Sequence, residues 1–200
     1  MVAFIFISSI YSFSFKRIIF CKSFQYNNYM LKRYIPTYHA KSIYDVPIDF
    51  LKSINVTTVL VDLDNTLDSY RSKSPSNSAL VLKELYDDAG IELIIVSNNT
   101  KKRVEPYASK LGVRFIPSIG KPFSKNIKKA LKELSLNKDN VIMVGDQTVT
   151  DICSANLSGL RSILTDKIVK EDQPTTHFNR LFDRPIRRSL KRKNLLKEVG

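Results

Sequence analysis

Residues 56–61 form an unbroken run of β-branched and apolar residues that ends on Asp62-Leu63-Asp64-Asn65-Thr66-Leu67. A strand without polar alternation is buried on both faces, which calls for a sheet covered by helices on both sides. Open sheets of that kind place their ligand sites beyond the carboxyl ends of the strands. Asp62 and Asp64 would then emerge into a crevice, and their spacing puts both carboxylates on one side of the extended chain while Leu63 packs away. Two acids this close repel each other. The repulsion is usually offset by a divalent cation or by unequal protonation of the two groups.

The rest of the chain repeats this unit. Strands are expected at 57–61, 91–96, 113–116, 141–144 and 162–165. Between them, Leu80, Val81, Leu82, Leu85 and Tyr86 recur at helical spacing over 78–89, with Gly90 as terminator. A second helix over 101–111 is closed by Gly112, Ser124 is placed to cap a third over 125–134, and a short one after Thr150 runs to Gly159. The segment 38–50 reads as a connection. Alternating strands and helices with right-handed crossovers make an α/β fold with a doubly wound, mostly parallel sheet. Two hundred residues suffice for one such domain with appendages.

Charge is concentrated at the ends. Residues 1–44 hold six Lys/Arg and no acid, residues 177–200 hold eight against two acids, and the middle is nearly neutral, so the ends carry almost all of the formal +13. A neutral body with basic ends suits an anionic partner surface, either a membrane or a nucleic acid. Only Cys21 and Cys153 occur, far apart, so neither a disulfide framework nor a zinc site is implied. Cys153 reads as a small core residue on a helix. His39 and His177 lack ligand spacing and read as surface residues.

The chain divides into an apolar and basic extension (1–29), a catalytic body (30–176) and a basic amphipathic segment (177–200). In the extension, Lys16-Arg17 follows the apolar stretch, whereas a secretory signal carries its basic residues first. An organellar presequence would be acid-poor, as this is, but richer in arginine, and the stretch is short for a transmembrane helix. The favoured reading takes Met30 as the natural start.

Each remaining polar cluster falls where a parallel strand should end: Ser97-Asn98-Asn99-Thr100, Gly120-Lys121-Pro122, and Gly145-Asp146-Gln147-Thr148-Val149-Thr150-Asp151. Each alone is weak, since Ser-Asn pairs form turns and a lysine after glycine is common on surfaces. Their order is informative. Asp62-x-Asp64-x-Thr66, then Ser97, then Lys121, then Asp146 and Asp151 resembles the four-motif signature of the haloacid dehalogenase (HAD) superfamily. Ser-Ile-Tyr-Asp-Val at 42–46, Val-Ser-Asn-Asn at 96–99, Gly-Asp-Gln-x-x-Thr-Asp at 145–151 and Phe-Asn-Arg at 178–180 resemble its YqeG-like, IIIA-type phosphatase branch.

The resemblance implies a three-layer, Rossmann-like HAD fold. Both gaps in which the superfamily inserts substrate-selecting caps are short here, so the fold is read as capless. By position, Asp62 would be the nucleophile that takes up the phosphoryl group, and Asp64 the general acid and then base. Mg²⁺ would bind the Asp62 carboxylate, the Asp64 main-chain carbonyl and Asp146, with Asp151 nearby or acting through water. Ser97 and the Asn98 main chain would hold a phosphate oxygen, and Lys121 would neutralise charge on the nucleophile and the transferred group. As mere turn formers, Asp62 and Asp64 would carry the cost of burying two acids for no purpose.

An open site favours a bulky phosphate ester, and Phe182, Ile186 and Leu190 recur every four residues among arginines and lysines. That pattern suits a helix lying in an anionic membrane interface; Pro185 can occupy a first helical turn but would interrupt a helix beginning earlier. Arg180 would bind either that surface or the substrate. The expected substrate is phosphatidylglycerophosphate, hydrolysed to phosphatidylglycerol, as the likeness to phosphatidylglycerophosphate phosphatases implies. A nucleic-acid or protein phosphoester is the alternative, as is a non-enzymatic phosphate sensor on RNA or ribosomes. The expected location is cytoplasmic and peripheral at the membrane, or organellar if 1–29 is a presequence.

Overall fold

The computed structural model describes residues 31–169 and 177–199, with backbone only for 177–180. The extension 1–29, the proposed start at Met30, Cys21 and the side chains of Phe178-Asn179-Arg180 lie outside the described residues. The chain divides into two compact units, Met1–Arg33 and Tyr34–Gly200, and the second holds the whole sheet.

Six parallel strands make that sheet: β1 (Tyr38–Ala40), β2 (Thr58–Val61), β3 (Glu92–Val96), β4 (Arg114–Ile116), β5 (Val141–Gly145) and β6 (Arg161–Thr165), in the order β1-β6-β5-β2-β3-β4. Every residue of β2 is buried, and Val61 pairs with Ile95 on one side and Val144 on the other. The period of two divides its side chains between two cores. Val59 and Val61 join Leu93, Ile95, Ile142 and Val144 against α1 (Ile48–Ser53), α2 (Asn77–Asp88) and α3 (Lys101–Leu111). Leu60 joins Ile94, Val96 and Met143 on the opposite face, against α4 (Lys125–Glu133) and α5 (Cys153–Ser158). These are the expected three layers.

Local signals hold in most places. Ser76 Oγ accepts from the Ala79 N–H at 3.2 Å and opens α2, and Gly112 ends α3 at φ 71°, a conformation that suits glycine. Ser124 departs from expectation: it precedes α4 but makes no side-chain cap bond. Cys153 is buried at the start of α5. The segment read as a connection contains β1, which pairs with β6 at Tyr38–Ile163. β1 is itself flanked by the tail, where the His39 N–H donates to the Lys197 carbonyl at 2.7 Å and the Val199 N–H to the His39 carbonyl at 3.0 Å. His39 is therefore partly enclosed rather than a surface residue, with Nδ1 2.9 Å from Glu198 Oε1.

The last helix, α6 (His177–Arg192), begins before Pro185 and runs through it without the expected interruption. Ile186 and Leu190 are buried against the body and Phe182 is half-buried. The apolar face assigned to a membrane is thus already covered by protein. Among the described residues no helix is long and apolar enough to cross a membrane. β2 reaches α2 through residues 62–76, β3 is bridged to β4 by α3 alone, and β4 to β5 by α4 and a short 3-10 turn at Lys138–Asn140. No cap module covers the carboxyl edge of the sheet among the described residues.

Three tyrosines set an alkaline limit. Burial, with the Asp68 charge, pushes the Tyr44 hydroxyl up to about 12, burial alone raises Tyr86, and burial with the bond to Asp68 raises Tyr107. Each ionises more readily unfolded than folded. Their contribution to stability is complete below the ordinary tyrosine pKa near 10 and is lost as pH rises through the folded values. The Tyr86 hydroxyl is buried with no hydrogen-bond partner. Tyr86→Phe should leave the urea midpoint at pH 7 unchanged or higher and soften its fall between pH 10 and 12; an unaltered fall would acquit Tyr86.

Candidate active site

The Asp62 N–H donates to the Val144 carbonyl at 2.9 Å, so the β2–β5 ladder still holds the chain where the first carboxylate leaves it. Leu63 drops into the core, and the chain then turns back on itself: Asn65 takes φ 70° and its N–H donates to the Asp68 carbonyl at 2.6 Å. Asparagine tolerates this left-handed conformation better than most residues. Asp62 and Asp64 consequently both lie at the carboxyl edge, as the alternation predicted.

Lys121 crosses to meet them from the loop after β4. Its ammonium donates to Asp62 Oδ1 at 2.5 Å and the Val96 carbonyl at 3.1 Å, and pairs with Asp151 Oδ1 at 2.8 Å. Two hydrogen bonds and one ion pair thus hold the ammonium. Asn98 fixes the lysine backbone from both sides, accepting from the Lys121 N–H at 2.7 Å and donating to its carbonyl at 2.9 Å. The side chain of Asn98 thus positions Lys121, a role the sequence reading had not given it. Ser97 is buried beside it, its hydroxyl oxygen accepting from the Asn99 N–H at 3.0 Å.

After β5, residues 148–152 form a single wide π-helical turn, a feature common at functional sites. Asp146 is fully buried and accepts from Thr66 Oγ1 at 3.3 Å; Asp151 accepts from the Gln147 N–H at 3.0 Å. The Asp151 carboxylate folds back over Gly145 so closely that any Cβ there would collide with it. The glycine is needed for this approach rather than for an unusual φ.

Burial drives the electrostatics. It raises the Asp62 carboxyl well above the carboxylate range, the Lys121 charge pulling it back and Asp151, Asp146 and Asp64 pushing further up. For Lys121 burial acts downward, but Asp151 and Asp62 outweigh it and hold the ammonium protonated. Asp64 is also raised by burial, against the opposing pull of Arg103 and Asn99. Asp62 and Asp151 pair with Lys121, and the charge of the buried Asp146 bears on Asp62. Hard, negative oxygen donors are the chemistry that suits a small divalent cation, although among the described residues no three such side chains are grouped as a metal site.

The structure brings all seven sequence-read residues to one edge: Asp62, Asp64, Ser97, Asn98, Lys121, Asp146 and Asp151. It also adds residues that were missed. Arg103 donates to Asp64 Oδ1 at 2.8 Å and Asn99 to Oδ2 at 2.6 Å. Asp183 of α6 accepts from Thr148 N and Oγ1 at 2.6 and 2.7 Å. Arg187, one of the arginines beside the apolar stripe of α6, turns inward: it donates to the main-chain carbonyls of Asp146 and Thr165, both at 2.6 Å, and to Asp183 at 3.1 Å. The only advance signal was the four-residue spacing of Asp183 and Arg187 on one helix.

The parallel α/β sheet thus carries an acid-rich, lysine-bridged centre at its carboxyl edge. Residues 118–182 match the family described as "HAD-hyrolase-like". The chain is 34% identical over 165 residues to the "Probable phosphatase YqeG" of Bacillus subtilis, covering 82% of this chain and 96% of that protein. Two solved structures are similar in part. The cobalt-bound deoxy-D-mannose-octulosonate 8-phosphate phosphatase of Haemophilus influenzae has 15% identity and a TM-score of 0.44, over 71% of this chain and 92% of that one. A thermostable NPPase of Geobacillus stearothermophilus has 15% identity and a TM-score of 0.41, over 60% and 94%. The chain belongs to the HAD superfamily and, within it, to the YqeG-like phosphatases. Its activity class is phosphoric monoester hydrolysis.

Proposed function

We propose that the protein is a Mg²⁺-dependent phosphatase that removes the terminal phosphate of phosphatidylglycerophosphate through an aspartyl-phosphate on Asp62. The observation that carries the chemistry is the pairing of Lys121 with Asp62 and Asp151 while a second acid, Asp64, stands two residues away on the same edge. An Asp62 oxygen attacks phosphorus and the ester oxygen departs with a proton from Asp64. Asp64 then takes a proton from water, whose oxygen attacks the phosphoryl group, releasing phosphate and regenerating the Asp62 carboxylate. Arg103 and Asn99 orient the Asp64 carboxyl, and Lys121 neutralises charge on Asp62 and on the phosphoryl oxygens. Ser97 and the Asn98 main chain supply the seat for a phosphate oxygen.

Asp62, Asp146 and the Asp64 carbonyl would hold Mg²⁺, with Asp151 close by. Bound there, the cation would offset the excess of buried carboxylates and screen Asp62 from the substrate's negative charge. The lipid assignment is supported by an edge that no cap covers among the described residues, open to a phosphate on a bulky group, and by the basic charge of the chain.

The test is phosphate release from phosphatidylglycerophosphate in mixed micelles, with Mg²⁺ or chelator, beside phosphorylated sugars, nucleotides and peptides. Release that is selective for the lipid and abolished by chelator is expected, together with a Mg²⁺-dependent rise in thermal midpoint. Turnover confined to a soluble or polymeric ester would overturn the substrate, and full turnover in chelator would overturn the metal.

A further inference from the structure

With the apolar face of α6 covered by protein, a different surface is left to meet a lipid, and it lies around the catalytic edge. Phe123 is 74% exposed, the most exposed of the large hydrophobic residues among those described. It sits two residues after Lys121, in a tight turn whose Phe123 N–H donates to the Gly120 carbonyl at 3.0 Å. Because every strand is parallel, the helices that follow β3 and β4 begin at the same edge as the site. Exposed lysines stand at those beginnings: Lys101 and Lys102 on α3, and Lys125 with Lys128 one turn later on α4. Lys101 has a carboxylate partner in Glu105 at 3.3 Å. Among the described residues no ion pair engages Lys102, Lys125 or Lys128.

We infer that the rim formed by Phe123, Lys102, Lys125 and Lys128 is the surface by which the enzyme docks on an anionic lipid bilayer, with its active site facing the membrane. The inference rests on the lipid-phosphatase reading and specifies how its substrate is reached. An aromatic ring flanked by cations pairs a wedge for the acyl–headgroup boundary with charges complementary to anionic headgroups. The orientation also addresses access: Asp62 and Lys121 are 7% and 6% exposed, so a phosphate must be brought to the carboxyl edge itself, and a membrane lying on the rim presents headgroups there. A docking helix on another side would not achieve this. The bilayer would also supply a cover that the described residues do not.

The experiment uses the full chain and sedimentation with vesicles of phosphatidylcholine alone or mixed with phosphatidylglycerol. Phe123→Ser and Lys125→Gln/Lys128→Gln are compared with wild type, with p-nitrophenyl phosphate turnover as the check on the site. Wild type should prefer the anionic vesicles. Binding should weaken about tenfold on loss of the ring and about fivefold for each lysine, while p-nitrophenyl phosphate turnover holds. Wild type that does not bind, or variants that bind as wild type does, would overturn the proposal, as would a parallel loss of p-nitrophenyl phosphate turnover. Tighter, rim-dependent binding to single-stranded RNA would overturn it in favour of a nucleic-acid surface. Phosphatidylglycerophosphate dissolved in detergent separates this inference from the substrate reading. Rim variants should hydrolyse it at the wild-type rate, whereas inertness of wild type toward it would remove the substrate and leave the vesicle result standing.

Discussion

Asp62→Asn is expected to lower phosphate release by at least about 10,000-fold, the usual scale for removing a nucleophile, and at the same time to raise the thermal midpoint. The two effects have one cause. Asp62 shares a buried edge with Asp146 and Asp151 and a single lysine, and its carboxyl is pushed up by burial and by those neighbours. Exchanging it for a neutral group of the same shape relieves that repulsion and leaves Lys121 paired with Asp151. A gain of about 1 kcal/mol, or roughly 2–4 °C for a domain of this size, is the expected order. Substantial residual turnover would remove Asp62 from its role, and a lower midpoint would show that the acids are well compensated as they stand.

The second large effect runs the other way. Lys121→Met leaves the buried Asp62 and Asp151 without their cation, and losing one partner of a buried pair costs about 3–5 kcal/mol. Urea unfolding should show that loss. The double substitution Lys121→Met/Asp151→Asn should recover a good part of it, because the second change removes one of the charges left unpaired. Activity should stay absent in both. If the double variant were as unstable as the two single losses added together, Lys121 and Asp151 would be energetically independent despite their 2.8 Å separation.

What the sequence revealed followed a physical divide. Strands such as 141–145 announce themselves because burial on both faces leaves no room for polar residues, and the loops that follow are placed by the parallel connection. β1 carried no such mark: three residues with a histidine in the middle become a strand only because β6 offers an edge. The four-residue rhythm of Phe182, Ile186 and Leu190 correctly indicated an amphipathic helix, but periodicity does not say whether lipid or protein covers the stripe. Arg103 looks like any charge in a first helical turn, and its bond to Asp64 spans 39 residues. Asn98 was assigned to phosphate through its main chain, whereas its side chain holds Lys121 from 23 residues away. Contacts of that kind are set by tertiary folding and leave no local pattern.

The grip of Asp183 and Arg187 on the acid loop sets an order of events during synthesis. Thr148 emerges 35 residues before the carboxylate that receives its N–H and hydroxyl, a delay of a few seconds at ordinary translation rates. Until α6 arrives, the Asp146 carbonyl lacks its guanidinium partner, and the buried acids sit in a loop without its strut. A nascent chain can therefore complete the strands of its sheet before the loop that carries Asp146 has gained its last partners.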